Sequence, residues 1–214
     1  RLSPPARRGL RLIADQPVTS LGLPALAALL DLDEPETHRV VAELTTASLA
    51  AYNTRVRLHD LVRVFALGES LNDDRPTDRD QARGRLLDHY LAAAGTAVVA
   101  SGLQPMVSRQ DFDPTDFDPT DFDSTDPEPA DSGPTAEEAS AWLRAERENL
   151  LTLANAHHSA ARPEFASRLS SCLVRMLDVQ GWFTDGLHLH TLALEQARRS
   201  DDRATRARSE AFLS

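Results

Sequence analysis

Leucine, valine and isoleucine recur every three or four residues through much of the first seventy positions, which is the spacing of an amphipathic helix. The start signal Ser3-Pro4-Pro5 predicts a short helix over residues 4–13, because serine suits an N-cap and proline suits a first helical turn. The same spacing predicts a second helix over residues 20–30 and a third from Asp33 to about residue 51. The first part of the chain is therefore predicted to be helical.

After the third predicted helix the pattern changes from helical to alternating. Arg55-Val56-Arg57-Leu58 alternates polar and apolar residues, so residues 50–58 are predicted to form a short β-hairpin. A further helix is predicted over residues 59–70. Three helices followed by a small hairpin is the order of a winged-helix domain, which we assign to residues 1–70.

The third predicted helix has the wrong charge for reading DNA. Winged-helix domains often place this helix in the major groove, where phosphate contacts require several cations. This helix carries only two basic side chains, His38 and Arg39. It carries four carboxylates, those of Asp33, Glu34, Glu36 and Glu43. We therefore do not expect direct DNA binding by this segment.

Beyond residue 70 the helical signal resumes on both sides of an acidic repeat. Residues 71–104 are predicted as a connecting segment with a helix over about 79–101. Residues 105–134 contain the repeat Asp-Phe-Asp-Pro-Thr, whose prolines and unopposed charge predict a disordered loop. Residues 135–214 are predicted to form antiparallel helical hairpins like those of tetratricopeptide (TPR) repeats, with helices over 139–161, 164–179, 186–200 and 202–213. The predicted fold class is mainly α: a winged-helix domain followed by TPR-like hairpins.

The charge of the chain is concentrated in that loop. The formal net charge is −10, yet residues 111–131 alone hold eight Asp and one Glu without any Arg. The rest of the chain is therefore nearly neutral, which does not describe a basic DNA-coating protein. All 23 basic residues are arginine, and this excludes a complete phosphate-binding-loop ATPase or a Schiff-base enzyme within these residues.

The cysteine content favours a cytoplasmic location, and the helix-like sequence directly after Arg1 predicts that the chain is a piece of a longer polypeptide. Cys172 is the sole cysteine, so neither an internal disulfide nor a cysteine-rich zinc site can form. No apolar run reaches the roughly 20 residues of a membrane span, and no signal-peptide pattern is present. We expect no membrane association.

The remaining candidate sites have plain structural interpretations. His157-His158 and His188-Leu189-His190 point apart on a helix, so we expect solvated or packed histidines and no metal site. Cys172 and the aromatic residues are expected in the helical core, the latter being Trp142, Phe165, Trp182 and Phe183. No Gly-x-Ser-x-Gly elbow anchors a hydrolase triad.

The acidic repeat is interpreted as an expanded loop without a site. Clustered carboxylates suit calcium, but the repeat lacks the glycine turns that fold ligands around an ion. An acidic-aromatic ligand for a basic partner surface is the alternative for this repeat.

Two blocks of the sequence resemble a known family. Residues 55–66, which run Arg-Val-Arg-Leu-His-Asp-Leu-Val-Arg-Val-Phe-Ala, resemble the end of the winged-helix part of the signal-transduction ATPases with numerous domains (STAND), whose nucleotide-binding module is called NB-ARC. Residues 141–150 are similar to the helix that opens the TPR region there, and Gly181-Trp182-Phe183 is similar to the first repeats. The match is to the actinobacterial branch, which includes large regulators of transcription and of antibiotic biosynthesis.

The resemblance implies roles for His59 and Asp60. In the family, the histidine of this motif contacts the β-phosphate of bound ADP and helps to hold the closed, inactive state, and the aspartate braces the turn. The resemblance therefore implies ADP or ATP binding in the parent protein, with no cofactor in this segment, and a partner in an upstream nucleotide-binding domain of the same chain. The alternative from the residues themselves is that His59 and Asp60 cap the following helix.

The sequence thus predicts a non-catalytic regulatory segment of a STAND-type transcriptional regulator. It would relay nucleotide state through His59 and receive a protein or small-molecule signal on its TPR-like helices. One alternative is a DNA-binding winged-helix regulator that uses Arg55 and Arg57 on phosphate. A second alternative is a helical scaffold that binds only another protein.

Overall fold

The computed structural model describes residues 2–103, 133–157, 162 and 164–200. The chain divides into two compact units, Arg1–Tyr90 and Leu91–Ser214. The described residues form eight helices and three short strands, which confirms the predicted mainly-α class. The predicted domain limits stay predictions. In chain order the elements are α1 Pro4–Asp15, β1 Leu21–Gly22, α2 Leu23–Leu30, α3 Glu34–Thr46, β2 Ala50–Tyr52, β3 Arg55–Leu58, α4 Asp60–Asp73, α5 Pro76–Ala100, α6 Ala136–His157, α7 Glu164–Val179 and α8 Phe183–Ser200.

Helices α1, α2 and α3 surround the core of the first unit. Ser3 caps α1, since its hydroxyl accepts a hydrogen bond from the Ala6 N–H at 3.3 Å. The same hydroxyl donates to the Glu43 carboxylate of α3 at 2.7 Å. Two arginines bond the carbonyls that end α2: Arg85 reaches Ala28 and Leu29, and Arg8 reaches Leu30. The most deeply buried side chains of this core include Leu21, Leu26, Leu29, Leu30 and Leu44.

A three-stranded antiparallel sheet in the order β1-β3-β2 lies beside these helices. The predicted hairpin over residues 50–58 is confirmed, with Ala50 opposite Leu58 and Tyr52 opposite Val56. Strand β1 was not predicted, because Leu21 and Gly22 fell inside a predicted helix over 20–30. That helix begins only at Leu23, since pairing with Val56 holds Leu21 fully buried in an extended conformation.

Other helix limits also differ from the prediction. Helix α3 ends at Thr46, where Ser48 takes a left-handed conformation with φ of 56° and turns the chain toward β2. Helix α4 continues to Asp73 and α5 starts at Pro76, so only two residues separate these helices, whereas the predicted helices over 59–70 and about 79–101 left residues 71–78 between them. A proline in the first turn explains the early start of α5.

The second unit contains the helices α6, α7 and α8. The Ser167 hydroxyl donates to Gln196 at 2.7 Å, and the Ser170 hydroxyl bonds the Nδ1 atom of His190 at 2.8 Å. Residue numbers therefore fall along α8 as they rise along α7, so the two helices form an antiparallel hairpin. Gly181, with φ of 70°, ends α7 in the left-handed region that glycine favours. The predicted helix over residues 202–213 lies outside the described residues. The predicted loop over residues 105–134 also lies outside them, except for its last two residues.

Candidate functional site

His59 and Asp60 lie at the junction between strand β3 and helix α4. Val56 and Leu58 of β3 are buried, whereas Arg57 and His59 are exposed, so the alternation of the strand continues through the histidine. Asp60 is the first residue of α4 and is also exposed. The two residues of the motif are thus presented to the outside of the first unit.

The backbone at this junction is held on both sides. The His59 N–H donates to the Leu49 carbonyl at 3.3 Å, and the His59 carbonyl accepts from the Arg63 N–H at 2.8 Å. The Arg63 side chain donates to the carbonyls of Val18, at 2.7 Å, and of Gln16. Burial lowers the pKa of Arg63 from its ordinary value, and the Asp60 carboxylate opposes that shift. Hydrogen bonds on both sides of His59 therefore hold the backbone in place at this junction.

The side chains of His59 and Asp60 contribute differently to the start of α4. His59 occupies the N-cap position, but within the described residues its imidazole makes no capping hydrogen bond. Asp60 lies in the first turn, where a carboxylate complements the helix dipole. The imidazole is consequently not required for the local helix start.

The two arginines of the hairpin are placed differently. The Arg55 guanidinium donates to the Ser20 hydroxyl at 2.9 Å and to the Ser20 carbonyl at 3.0 Å, so it ties β3 to the residue before β1. Arg57 is exposed on the same side of the strand as His59, about 7 Å away along the chain. A guanidinium and an imidazole on one face can both donate to phosphate oxygens. The alternation of the strand is enough to predict that Arg57 and His59 lie on one face. It does not show that the Arg55 guanidinium is bonded to Ser20.

Helix α3 presents a mainly acidic surface. The Asp33 carboxylate accepts from the Glu36 N–H at 2.8 Å and caps the helix. Its one arginine, Arg39, lies 3.8 Å from the Glu36 carboxylate. Hydrogen bonds from the Ser3 side chain and backbone lower the pKa of Glu43. The one arginine of α3, Arg39, therefore has a carboxylate close by, which weakens its attraction for phosphate.

In the second unit the structure brings the two TPR-like blocks together. The Arg147 guanidinium of α6 lies over the Trp182 ring, 5.0 Å from its centre, and forms an ion pair with Asp185 of α8. Next to Arg147 on α6, the buried Asn149 side chain donates to the buried Glu146 carboxylate at 3.0 Å. The Arg147 contacts join α6 to α8 and to the turn before it, whereas the Glu146–Asn149 bond lies within α6.

The described histidine and cysteine candidates, His188, His190 and Cys172, have different surroundings. His190 is buried, and burial lowers its pKa to about 4, whereas the Nε2 atom of His188 lies 2.9 Å from the Asn155 side-chain oxygen. Burial raises the pKa of Cys172 to about 12, so this thiol is not a nucleophile at neutral pH. Among the described residues, no three His, Cys, Asp or Glu side chains form a group that could hold a metal ion. His158 and the acidic repeat lie outside the described residues.

The core prediction for the aromatic residues is only partly right. Phe165 is 2% exposed and confirms it, but Phe183 is 65% exposed and does not belong to the core. The Gly181 turn directs the Trp182 N–H to the Leu177 carbonyl at 2.8 Å. Helix α8 then turns Asp185, Gly186 and Leu189 inward, so Phe183 falls on the opposite face.

Comparison with known proteins finds bacterial regulatory proteins that are similar in sequence to this chain. The chain is a distant homologue of a segment of bacterial regulatory proteins, and this homology supports a regulatory role. It is 31% identical to regulatory protein AfsR of Streptomyces griseus over 178 residues, which cover 81% of this chain and 17% of that protein. It is 37% identical to regulatory protein AfsR of Streptomyces coelicolor over 100 residues, which cover 44% of this chain and 10% of that protein. The chain thus spans about a sixth or less of these relatives.

Two further comparisons gave no match. No family model matches the chain, and no solved structure matches it. Over the described ranges, none of the helices has both the length and the apolar character needed to cross a membrane.

Proposed function

We propose that this chain is a non-catalytic regulatory segment of a larger cytoplasmic STAND-type transcriptional regulator. Its first seventy residues would form a winged-helix domain, and residues 135–214 would begin a TPR-like sensor. The element order α1-β1-α2-α3-β2-β3 and the sheet order β1-β3-β2 support the first part. The antiparallel hairpin of α7 and α8 supports the second.

The observation that carries the proposal is the exposed imidazole of His59 on a braced backbone. A side chain that the fold does not use, held between β3 and the first turn of α4, can report contact with another domain. In this proposal His59 donates to a phosphate of ADP bound in an upstream nucleotide-binding domain of the same polypeptide, and Asp60 orients the turn. Replacement of ADP by ATP breaks the contact, and a signal on the TPR-like helices shifts the same equilibrium.

The test uses the full-length parent protein and compares ADP affinity in three forms: wild type, His59→Ala and His38→Ala. His38 is the matched control, because it is also exposed but lies on α3. Loss of a hydrogen bond to a charged group weakens affinity by roughly tenfold or more, so we expect that effect for His59→Ala alone. Unchanged ADP affinity and unchanged basal activity in His59→Ala would leave the helical-scaffold alternative.

Catalysis and DNA binding are tested on the 214-residue chain alone. We expect no ATP turnover above a heat-denatured control. For DNA, a gel shift with duplex DNA at several salt concentrations is decisive, because phosphate contacts give a steep negative dependence on salt. The acidic surface of α3 and the engagement of Arg55 favour the absence of such a shift.

A further inference from the structure

Helix α4 carries an apolar stripe on its outer face. Leu61, Val64, Phe65 and Leu71 are 86%, 72%, 68% and 58% exposed, and they recur at the three- and four-residue spacing of one helix face. The opposite face of the helix buries Ala66 and Ser70 in the first unit. Contiguous exposed apolar residues of this kind mark interaction surfaces. We call Leu61, Val64, Phe65, Gly68 and Leu71 the α4 stripe.

Gly68 lies in the middle of the α4 stripe without an internal reason to be glycine. A Cβ atom added there would meet no atom within 4 Å, and the backbone is not in the left-handed region. Glycine weakens a helix interior relative to alanine, so the residue costs the isolated helix some stability. Between larger neighbours it leaves a shallow depression, and such a notch lets a second helix approach closely.

The charged side chains of α4 itself that border the stripe are negative. Asp60 and Glu69 are nine residues apart, which places them about 180° apart around the helix and so on opposite borders of the stripe. The only cation of α4, Arg63, is directed inward to the carbonyls of Gln16 and Val18. A second copy of this chain would bring like charges together, and an anionic lipid surface would be repelled in the same way.

We propose that the α4 stripe docks an amphipathic α-helix of another protein, one that carries arginine or lysine beside its apolar anchors. The backbone groups of α4 are bonded within the helix, so the surface cannot pair with a β-strand. From Leu61 to Leu71 the stripe extends about 15 Å, which matches three turns of a partner helix. The proposal does not depend on nucleotide sensing by His59, because the α4 stripe contains neither His59 nor Asp60 and its test uses no nucleotide.

The experiment titrates the full 214-residue chain into two fluorescent synthetic peptides. Both are helical with leucine at helical spacing; one has arginine on both borders of its apolar face, and the other has glutamate. We expect the arginine peptide to bind, more weakly as salt rises, and to shift the NMR signals of the α4 stripe. Val64→Glu should weaken binding at least tenfold, and Gly68→Ala should weaken it while raising the melting temperature of the chain.

Leu187→Glu is the matched control, because Leu187 is 54% exposed on α8 and lies outside the stripe. It should leave binding unchanged. The proposal is overturned if the arginine peptide does not bind, if the glutamate peptide binds equally well, or if Val64→Glu binds like wild type. A dimer that Val64→Glu disrupts would assign the stripe to a second copy instead, and binding of anionic vesicles that the same change abolishes would assign it to lipid.

Discussion

The guanidinium carbon of Arg147 lies 5.0 Å from the centre of the Trp182 ring, while the same guanidinium is paired with the carboxylate of Asp185. This one side chain therefore connects α6 to the turn before α8 and to the first turn of α8 itself. The Asp185 bond raises the pKa of Arg147, so the charge of the guanidinium is secure at any physiological pH. Sequence spacing alone gives no indication that residues 147 and 182 meet.

Arg147→Ala should destabilise the second unit by about 1 kcal/mol. An exposed cation–π contact and a partly exposed ion pair each contribute up to roughly 1 kcal/mol, and the Arg147 side chain is 45% exposed. Urea unfolding followed by tryptophan fluorescence measures this unit specifically, because both tryptophans, Trp142 and Trp182, lie in it. Arg144→Ala, at an exposed position of the same helix, is the control. Equal unfolding midpoints for the two variants would contradict the assigned role of Arg147.

Asp74→Ala should destabilise the first unit and flatten its acid response. Asp74 accepts two hydrogen bonds from the Arg11 guanidinium, at 2.7 and 2.8 Å, and a third from the Ser70 hydroxyl. Breaking charged hydrogen bonds at a side chain only 13% exposed should cost about 2 kcal/mol. The measurement is urea unfolding followed by backbone NMR signals of α1 and α4.

The acid response has a defined sign. The hydrogen bond from Arg11 lowers the pKa of Asp74 in the folded state. The stabilisation that the Asp74 carboxylate contributes is therefore complete above its pKa in the unfolded chain, and it is lost as the pH falls through its lower pKa in the folded protein. Below about pH 4, wild type should therefore lose stability more steeply than Asp74→Ala. Asp73→Ala removes an exposed neighbouring carboxylate and should keep the wild-type slope. If the stability of wild type and of Asp74→Ala falls equally steeply as the pH is lowered, the Arg11–Asp74 pair is not responsible for the acid response.

Two helix-interior glycines of the first unit, Gly9 and Gly68, should respond oppositely to alanine. Gly68→Ala fills open space in α4 and should stabilise the chain by about 0.5–1 kcal/mol. Gly9→Ala places a Cβ atom 3.0 Å from the buried Val40 side chain, and overpacking of roughly 1–3 kcal/mol outweighs the gain in helix propensity. Thermal unfolding monitored by circular dichroism gives the order Gly68→Ala, wild type, Gly9→Ala. A Gly9→Ala variant as stable as Gly68→Ala would show that α1 and α3 can separate without cost.

Local pattern predicted most helices and the hairpin, and long-range contacts explain the failures. Leucine at position 21 continues a helical pattern, and only its pairing with Val56, 35 residues later, makes it a strand residue. Helical spacing in Leu61-Val62-Arg63-Val64-Phe65 predicted α4 correctly but could not show that the larger apolar residues face outward. Which face a helix buries depends on the partner across the core, and the partner is not encoded in the local pattern.

The candidate site also combines local features that the sequence predicts with long-range contacts that it does not. The exposure of His59 follows from the alternation of β3, a local property visible in the sequence. The bracing by Arg63 depends on carbonyls more than forty residues earlier, and backbone carbonyls carry no sequence signature. The helical spacing of apolar residues predicts Phe183 in the core, whereas the Gly181 turn decides which face of α8 it occupies.

His190 should make the second unit sensitive to mild acid. Burial lowers its folded-state pKa to about 4, below the ordinary value near 6.5, so as pH falls the unfolded state binds the proton first. Stability therefore declines between pH 6.5 and 4, and this one group should cost about 2 kcal/mol at pH 5 relative to pH 7. In His190→Gln, which retains a polar side chain opposite Ser170 but cannot titrate, that difference should disappear from urea unfolding followed by tryptophan fluorescence. His188→Gln, two residues away and less buried, should keep the wild-type difference, and a His190→Gln variant that still loses stability between pH 7 and 5 would mean that another group carries the response.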